Sequence, residues 1–228
     1  MIRKPKFKSG FKYALGELML IFLGISLAIA FQNWNDERKL KRQTTEILTE
    51  IKENLELDIS SLENLLANRT LDLAATQRVI QLYSEKKPFD EGVSNDLGRV
   101  IIGDAIYFRK LGYGLLKESN LMSMTNPALR KMLNGYYEEY MQFVINDVED
   151  DKFEFVTVLL PYVRNNFDEY GYRQPSIPRD YDLLLKDKYF LTSLKLNSDN
   201  IQSTIGVIEN ALSNAKPLLR AIEEEIEN

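Results

Sequence analysis

The sequence predicts an all-α protein: an N-terminal transmembrane helix that continues into a long helix of an extracytoplasmic helical bundle. Three observations carry this. An uncharged apolar run lies near the start, apolar residues recur at steps of three and four over long stretches, and few stretches alternate in the way a strand requires.

The apolar run comes first. Arg3, Lys4, Lys6, Lys8 and Lys12 precede 14 uncharged residues, Leu18 to Phe31, which close on Gln32-Asn33-Trp34-Asn35. Fourteen residues do not span a bilayer, but the helix from Tyr13 to Phe31 has 19 residues and at helical rise measures about 28 Å, close to the hydrocarbon thickness. Tyr13 and Trp34 stand at its two ends as interface anchors, where amphipathic rings favour the headgroup level. The competing reading is a cleaved secretory signal, since Ala28-Ile29-Ala30 offers a small-residue cleavage site. The helical pattern runs past Trp34 without a break, which favours a retained anchor.

The divisions expected are a basic cytoplasmic tail over 1–12, a transmembrane helix over 13–34, a long amphipathic helix over 35–87, and the rest of the bundle over 88–228. Lys and Arg number five before the span against four just after it, at Arg38, Lys39, Lys41 and Arg42. The bias places the N-terminus in the cytoplasm and the remainder outside the inner membrane, in the periplasm. Residues 1–42 hold nine basic and three acidic side chains, net +6, so with a chain total of −5 the remaining residues carry −11. So acidic a domain repels a phosphate backbone, and nucleic acid is not an expected partner. The chain has neither Cys nor His. That excludes disulfides, thiol nucleophiles, zinc sites of the usual ligand types and Ser-His-Asp triads. No cofactor and no metal is expected.

Beyond the anchor, Leu40, Ile47, Ile51, Leu55, Ile59, Leu62, Leu66, Leu73, Ile80 and Tyr83 form one stripe, with Thr44, Arg69 and Thr76 filling its gaps. This predicts a helix ending before Lys86-Lys87-Pro88, packed in a bundle in preference to a free coiled coil because polar residues interrupt the seam. Ser94 caps a short helix to about Ile102. Asn126-Pro127 opens a second long helix, which Pro161 bends or ends. Gly171 to Pro178 reads as the clearest loop, with a short helical piece around Tyr181 to Leu185. A last helix is capped by Ser198 or Asp199, carries Ile201, Ile205, Ile208, Leu212, Leu219, Ile222 and Ile226 on one face, and is disturbed only by Pro217.

The block Lys12-Tyr13-Ala14-Leu15-Gly16-Glu17-Leu18, continuing to Gly24-Ile25-Ser26-Leu27-Ala28 and then Asn33-Trp34-Asn35-Asp36-Glu37-Arg38-Lys39, resembles the opening of a family of single-pass membrane proteins common in Bacteroidota, catalogued as a domain of unknown function. Leu115 to Arg130, with Leu121, Asn126 and Leu129, resembles that family's midsection. The resemblance implies one membrane pass and a periplasmic helical domain, and brings no activity with it.

Candidate sites are few. Glu17 is ionisable near membrane depth, where such groups pair with a neighbouring helix or sit at the headgroups. Gly24 and Ala28 form a small-xxx-small pair, with Ser26 near them, that lets two helices approach closely. Tyr170, Tyr172 and Tyr181 flank the proline-rich loop and are the expected partner contacts. Gly112-Tyr113-Gly114 lacks the third Gly or the Gly-Lys-Ser ending of a phosphate loop. Asp147, Glu149, Asp150 and Asp151 read as a solvated helix face, not a calcium loop.

The function expected from these features is a membrane-anchored periplasmic scaffold or adaptor without catalytic activity. Its partners would be the lipid bilayer and either further copies of itself or another envelope protein. A ligand-binding sensory domain acting through a partner is the alternative, and a secreted helical protein with a signal peptide is the third. An enzyme would need a deep pocket with paired carboxylates, and 34 scattered acids identify no pair.

Overall fold

The computed structural model describes residues 7–101, 103–119, 121 and 126–227. The basic start at 1–6, Ile102, and parts of the segment between α3 and α4 lie outside them. The fold is all-α, as expected, with one small hairpin.

Helix α1 (Phe7–Glu85) is a single unbroken element of 79 residues, about 118 Å long at helical rise. The chain then forms α2 (Glu91–Leu97), an extended strap over 103–110, α3 (Leu111–Glu118), and a composite rod of α4 (Pro127–Asn134), α5 (Met141–Glu154) and α6 (Leu160–Asn166). The hairpin β1 (Phe167–Gly171) and β2 (Gln174–Pro178), the short α7 (Tyr181–Leu184) and the long α8 (Lys188–Glu227) follow. Ion pairs fix the directions. Lys52 meets Glu223 and Glu63 meets Lys216, so α8 runs antiparallel to α1. Asn126 meets Glu225 and Asp147 meets Ser203, so the composite rod also opposes α8 and lies parallel to α1.

The buried seam of α1 steps by three and four without a fault: Leu48, Ile51, Leu55, Asp58, Leu62, Leu65, Arg69, Asp72, Thr76 and Val79. The seam of α8 does the same through Phe190, Leu194, Asn197, Ile201, Thr204, Ile208, Ala211, Ala215, Leu218 and Ile222. Such spacing keeps one face of each helix turned to the other. It agrees with the sequence stripe at Thr44, Ile51, Leu55, Ile59, Leu62, Arg69 and Thr76. Leu66, Leu73 and Ile80 are only half-buried, and the seam admits Asp58 and Asp72, which an apolar pattern leaves out.

Two apolar cores result. The one nearer the N-terminal apolar segment packs Ile51, Leu55 and Leu62 against Tyr113, Leu116, Leu133, Tyr136, Tyr137 and Ile208. The distal one gathers Val79, Leu97, Val163, Phe167, Phe190 and Leu194.

Other boundaries differ from expectation for local reasons. Asp90, not Ser94, caps α2 by accepting the N–H of Val93 at 2.8 Å, while Ser94 is buried and donates to the carbonyl of Ser176. Asn126 does cap α4, accepting from Leu129 at 2.8 Å. The rod continues through Pro161 to Asn166 because a π-helical segment, Phe155–Leu159, precedes that proline; a second one, Gly135–Tyr140, joins α4 to α5. Helix α8 begins at Lys188, ten residues before Ser198, where the Asp187 carboxylate accepts the N–H groups of Tyr189 and Phe190. Gly171 to Pro178 is no loop: it holds the hairpin turn, with Arg173 at φ 54°. Gly112-Tyr113-Gly114 lies inside α3, with Gly112 buried against Ile51, so no phosphate loop forms there.

Gly98 shows how closely the hairpin is seated. A Cβ there would lie 1.6 Å from the carbonyl oxygen of Gln174, whereas one at Gly206, midway along α8, meets nothing. Gly98→Ala is therefore expected to lower stability by about 2 kcal/mol or more, and Gly206→Ala to raise it by about 0.5 kcal/mol. Thermal unfolding of the two variants checks the opposite signs.

Candidate functional site

Two features of α1 position any function: its apolar N-terminal third and a charged layer sealed inside the bundle.

From Tyr13 to Trp34 every side chain of α1 is exposed, although an 18-residue window here has a mean hydropathy of 2.2. It is the one helix among the described residues long and apolar enough to cross a membrane or to serve as a signal sequence. Tyr13 and Trp34 stand 21 residues apart, about 32 Å. The Trp34 ring lies 5.8 Å from that of Phe31 and under the Arg38 guanidinium at 5.7 Å. At 100° per residue, Glu17, Gly24 and Ala28 share one face of the helix and Ser26 lies on the opposite one. Among the described residues nothing lies within 4 Å of a Cβ placed at Gly24. Charged residues from Asp36 to Arg42 follow, and the core begins only at Thr44 and Leu48.

The charged layer lies between the two apolar cores. Arg69 is 1% exposed and Asp72 fully buried. Arg69 Nε is 3.3 Å from Asp104 and its Nη2 2.9 Å from Asp151, with neither N–H in line with an acceptor. Arg173 bridges Asp72 at 2.7 Å and Asp104 at 2.8 Å, and Arg99 reaches Asp72 at 2.9 Å. Thr204 donates to Asp151, and Asn197 donates to the carbonyl of Val100. Three guanidinium groups thus meet three carboxylates, drawn from α1, the turn after α2, the strap, α5 and the hairpin turn, with α8 supplying hydroxyl and amide. A separate pair, Asp58 with Arg109 at 2.9 Å, clips the far end of the strap to α1.

Burial and charge pull these carboxylates in different directions. Burial raises Asp151, against the Arg69 charge and the Thr204 hydroxyl. Burial likewise raises Asp58, against the hydrogen bonds of Arg109. At Asp104 burial is outweighed by the hydrogen bonds of Arg173 and by the Arg69 and Arg173 charges, which hold its carboxyl below the ordinary value. Tyr136 and Tyr137, whose buried hydroxyls have no partner among the described residues, are raised by burial and by the nearby Asp58.

Asp151 therefore leaves the solvated face that its acidic neighbours imply: it is a core residue committed to Arg69. The loop tyrosines are placed unequally. Tyr170 is mostly covered, its hydroxyl donating to the carbonyl of Ile101 and its ring edge-on to Phe167. Tyr172 donates to Asp104 at 2.9 Å beneath Arg173, and stays 42% exposed. Tyr181 lies elsewhere, at the far end of the bundle, donating to the carbonyl of Lys87 at 2.8 Å. The three do not form one surface. A groove of about 740 Å³ lies between α4 and α8 beside Pro127 and Pro217; one of its acids, Glu138, is already held by Lys117 and Tyr113.

The sequence signature of a family of unknown function, DUF6090, matches residues 17–158. The chain belongs to that family. The DUF6090 match takes in the apolar segment of α1 from Glu17, the rest of α1, the strap and α5, and ends before the hairpin and α8. It therefore covers Arg69, Asp72, Arg99, Asp104 and Asp151 but not Arg173 or Thr204. No curated protein and no solved structure matches the chain.

Arg69→Met should strand two buried carboxylates and destabilise the domain by about 3–5 kcal/mol. Arg78→Met, which breaks the exposed Arg78–Asp96 pair, should cost less than about 1 kcal/mol. Denaturant titration of both separates them. Because Asp104 is held below its ordinary 3.8, its stabilising contribution is present above that pH and lost as pH falls through the folded value. Thermal midpoints measured on the acid side should fall less steeply for Asp104→Asn than for the parent chain.

Proposed function

We propose that the chain is a membrane-anchored helical scaffold or adaptor of the bacterial envelope, without catalytic activity. Tyr13 to Trp34 is its single inner-membrane pass, its basic start is cytoplasmic, and the domain from residue 35 onward is periplasmic. It acts by self-association or by docking onto another envelope complex. The observation that carries this reading is the continuity of α1: the same helix that exposes an unpartnered apolar segment supplies the seam of the bundle, with no break between them. A cleaved signal sequence has no need of such a connection, whereas an anchor that must hold its domain at a set height and orientation does.

The absence of catalysis is supported by the ionisable groups themselves. Asp72, Asp104 and Asp151 are committed to arginines inside the bundle, and a carboxylate so paired is poorly suited to exchange protons with a substrate. The placement of the basic residues before Tyr13 supports the orientation.

Absence of native Cys makes a direct test clean. The protein is expected to stay in the membrane pellet after alkaline carbonate extraction, with an impermeant thiol reagent on intact cells permeabilised at the outer membrane labelling Glu209→Cys but not Ser9→Cys. Release by carbonate, a mature chain starting after Ala30, or the reverse labelling pattern contradicts the anchor or its orientation. Affinity purification from mild detergent should yield a defined oligomer or a stoichiometric envelope protein; a monomer alone contradicts the scaffold reading.

A further inference from the structure

Two non-glycine residues among those described have a left-handed backbone, Lys86 at φ 50° and Arg173 at φ 54°. L side chains adopt this conformation at a cost, and at a helix end or hairpin turn glycine is the usual solution. For Arg173 the reason lies inside the fold: the turn aims its guanidinium at Asp72 and Asp104. Lys86 ends α1, its N–H reaching the carbonyl of Leu82, yet its ammonium meets no acid among the described residues. Its side chain borders a groove of about 330 Å³ at the end of the bundle farthest from the anchor. That volume falls within the range of small-ligand sites.

The groove is built rather than incidental. Its apolar floor is Pro88, Leu185 and the rings of Phe89 and Tyr181, whose centroids lie 5.3 Å apart with planes inclined at 59°. The Tyr181 hydroxyl is tied to the Lys87 carbonyl at 2.8 Å, and the Lys87 ammonium to Asp90 at 2.9 Å, so ring and turn hold each other in place. Phe89 is nonetheless 40% exposed. On the rim Lys186, like Lys86, has no acid partner among the described residues, and Asp182 is the single acid. Two unpaired ammonium groups stand here on a domain whose net charge is strongly negative.

We propose that this distal groove binds an acidic glycan, with Lys86 and Lys186 receiving carboxylates and the Phe89–Tyr181 pair receiving the apolar face of a sugar ring. The charge calls for an anion, and two tilted rings on a shallow floor suit a flat pyranose better than a peptide, which would need a free sheet edge, a helix-sized trough or a deep side-chain pocket. Along α1, Lys86 stands 52 residues beyond Trp34, about 78 Å at helical rise. On the anchored, periplasmic reading above, on which the location of this ligand rests, the groove is carried well clear of the bilayer, out to where a carboxylate-bearing glycan is met.

The test uses the full-length chain in lipid nanodiscs and three probes: a tetrasaccharide alternating N-acetylglucosamine and N-acetylmuramic acid, the neutral N-acetylglucosamine tetrasaccharide, and a hexa-aspartate peptide. Calorimetric titration should give the acidic tetrasaccharide at least about tenfold tighter binding than either of the others. The Lys86→Glu, Lys186→Glu double variant should lose about tenfold or more, and Phe89→Ala should weaken both sugars, with circular dichroism and thermal midpoints unchanged. Equal binding of the acidic and neutral sugars, binding of none, tighter binding of the peptide, or an unaffected double variant overturns the proposal. These outcomes are independent of membrane anchoring: a chain that carbonate releases but that binds the acidic sugar loses the location and keeps the site.

Discussion

The backbone of α1 is the constraint on which the rest of the structure depends. An α-helix satisfies its own N–H and C=O groups in either solvent, so one element can pass from an apolar segment to a bundle seam without exposing an unpaired amide. What changes along it is only the side chains: apolar and unpartnered to Trp34, charged from Asp36 to Arg42, then turned inward at every third and fourth position from Leu48. Because the helix is unbroken, the rotation and height of the domain relative to the apolar segment are set by residue number. A hinge of even two residues between Trp34 and Thr44 would remove that coupling.

The charged layer gives the bundle its register. Apolar seams built on steps of three and four tolerate sliding by a heptad, since one Leu or Ile replaces another. Arg69 does not tolerate it, because a slide would carry its guanidinium away from Asp104 and Asp151 into an apolar core. The layer also joins segments far apart in the sequence. The turn after α2 meets α1 through Arg99–Asp72, the strap meets it through Asp104–Arg69 and Arg109–Asp58, and the hairpin meets α1 and the strap through Arg173. Buried pairs of this kind add little net stability over a well-packed apolar substitute, but losing one partner is costly. Their contribution is to make one arrangement the only one with every charge matched.

Much of this was legible in the sequence. Hydropathy located the one described helix long and apolar enough to cross a membrane, periodicity the all-α fold, and Lys86-Lys87-Pro88 the end of α1. The stripe of α1 was read correctly at Thr44, Ile51, Leu55, Ile59, Leu62, Arg69 and Thr76, while Leu66, Leu73 and Ile80 proved half-buried and the buried Asp58 and Asp72 were passed over because an apolar count gives a carboxylate no weight. Their partners were beyond reach, as Asp104, Asp151 and Arg173 come from distant segments and only folding brings them to Arg69 and Asp72. The hairpin escaped notice because Tyr172-Arg173 carries none of the Asn-Gly or Asp-Gly chemistry of tight turns; its left-handed residue is an arginine held by carboxylates. Two positive-φ cations, one paired and one not, were visible only in the backbone.

The central claim is that anchor and domain are one rigid helix. In this cysteine-free chain, spin labels at Asn35→Cys and Gln77→Cys, reconstituted in bilayers, report on it directly through pulsed dipolar spectroscopy. The 42 intervening steps predict a single narrow distance distribution near about 63 Å, widened only by the label linkers. A broad distribution, or one centred well below that distance, would show a hinge between the membrane segment and the bundle and contradict the account.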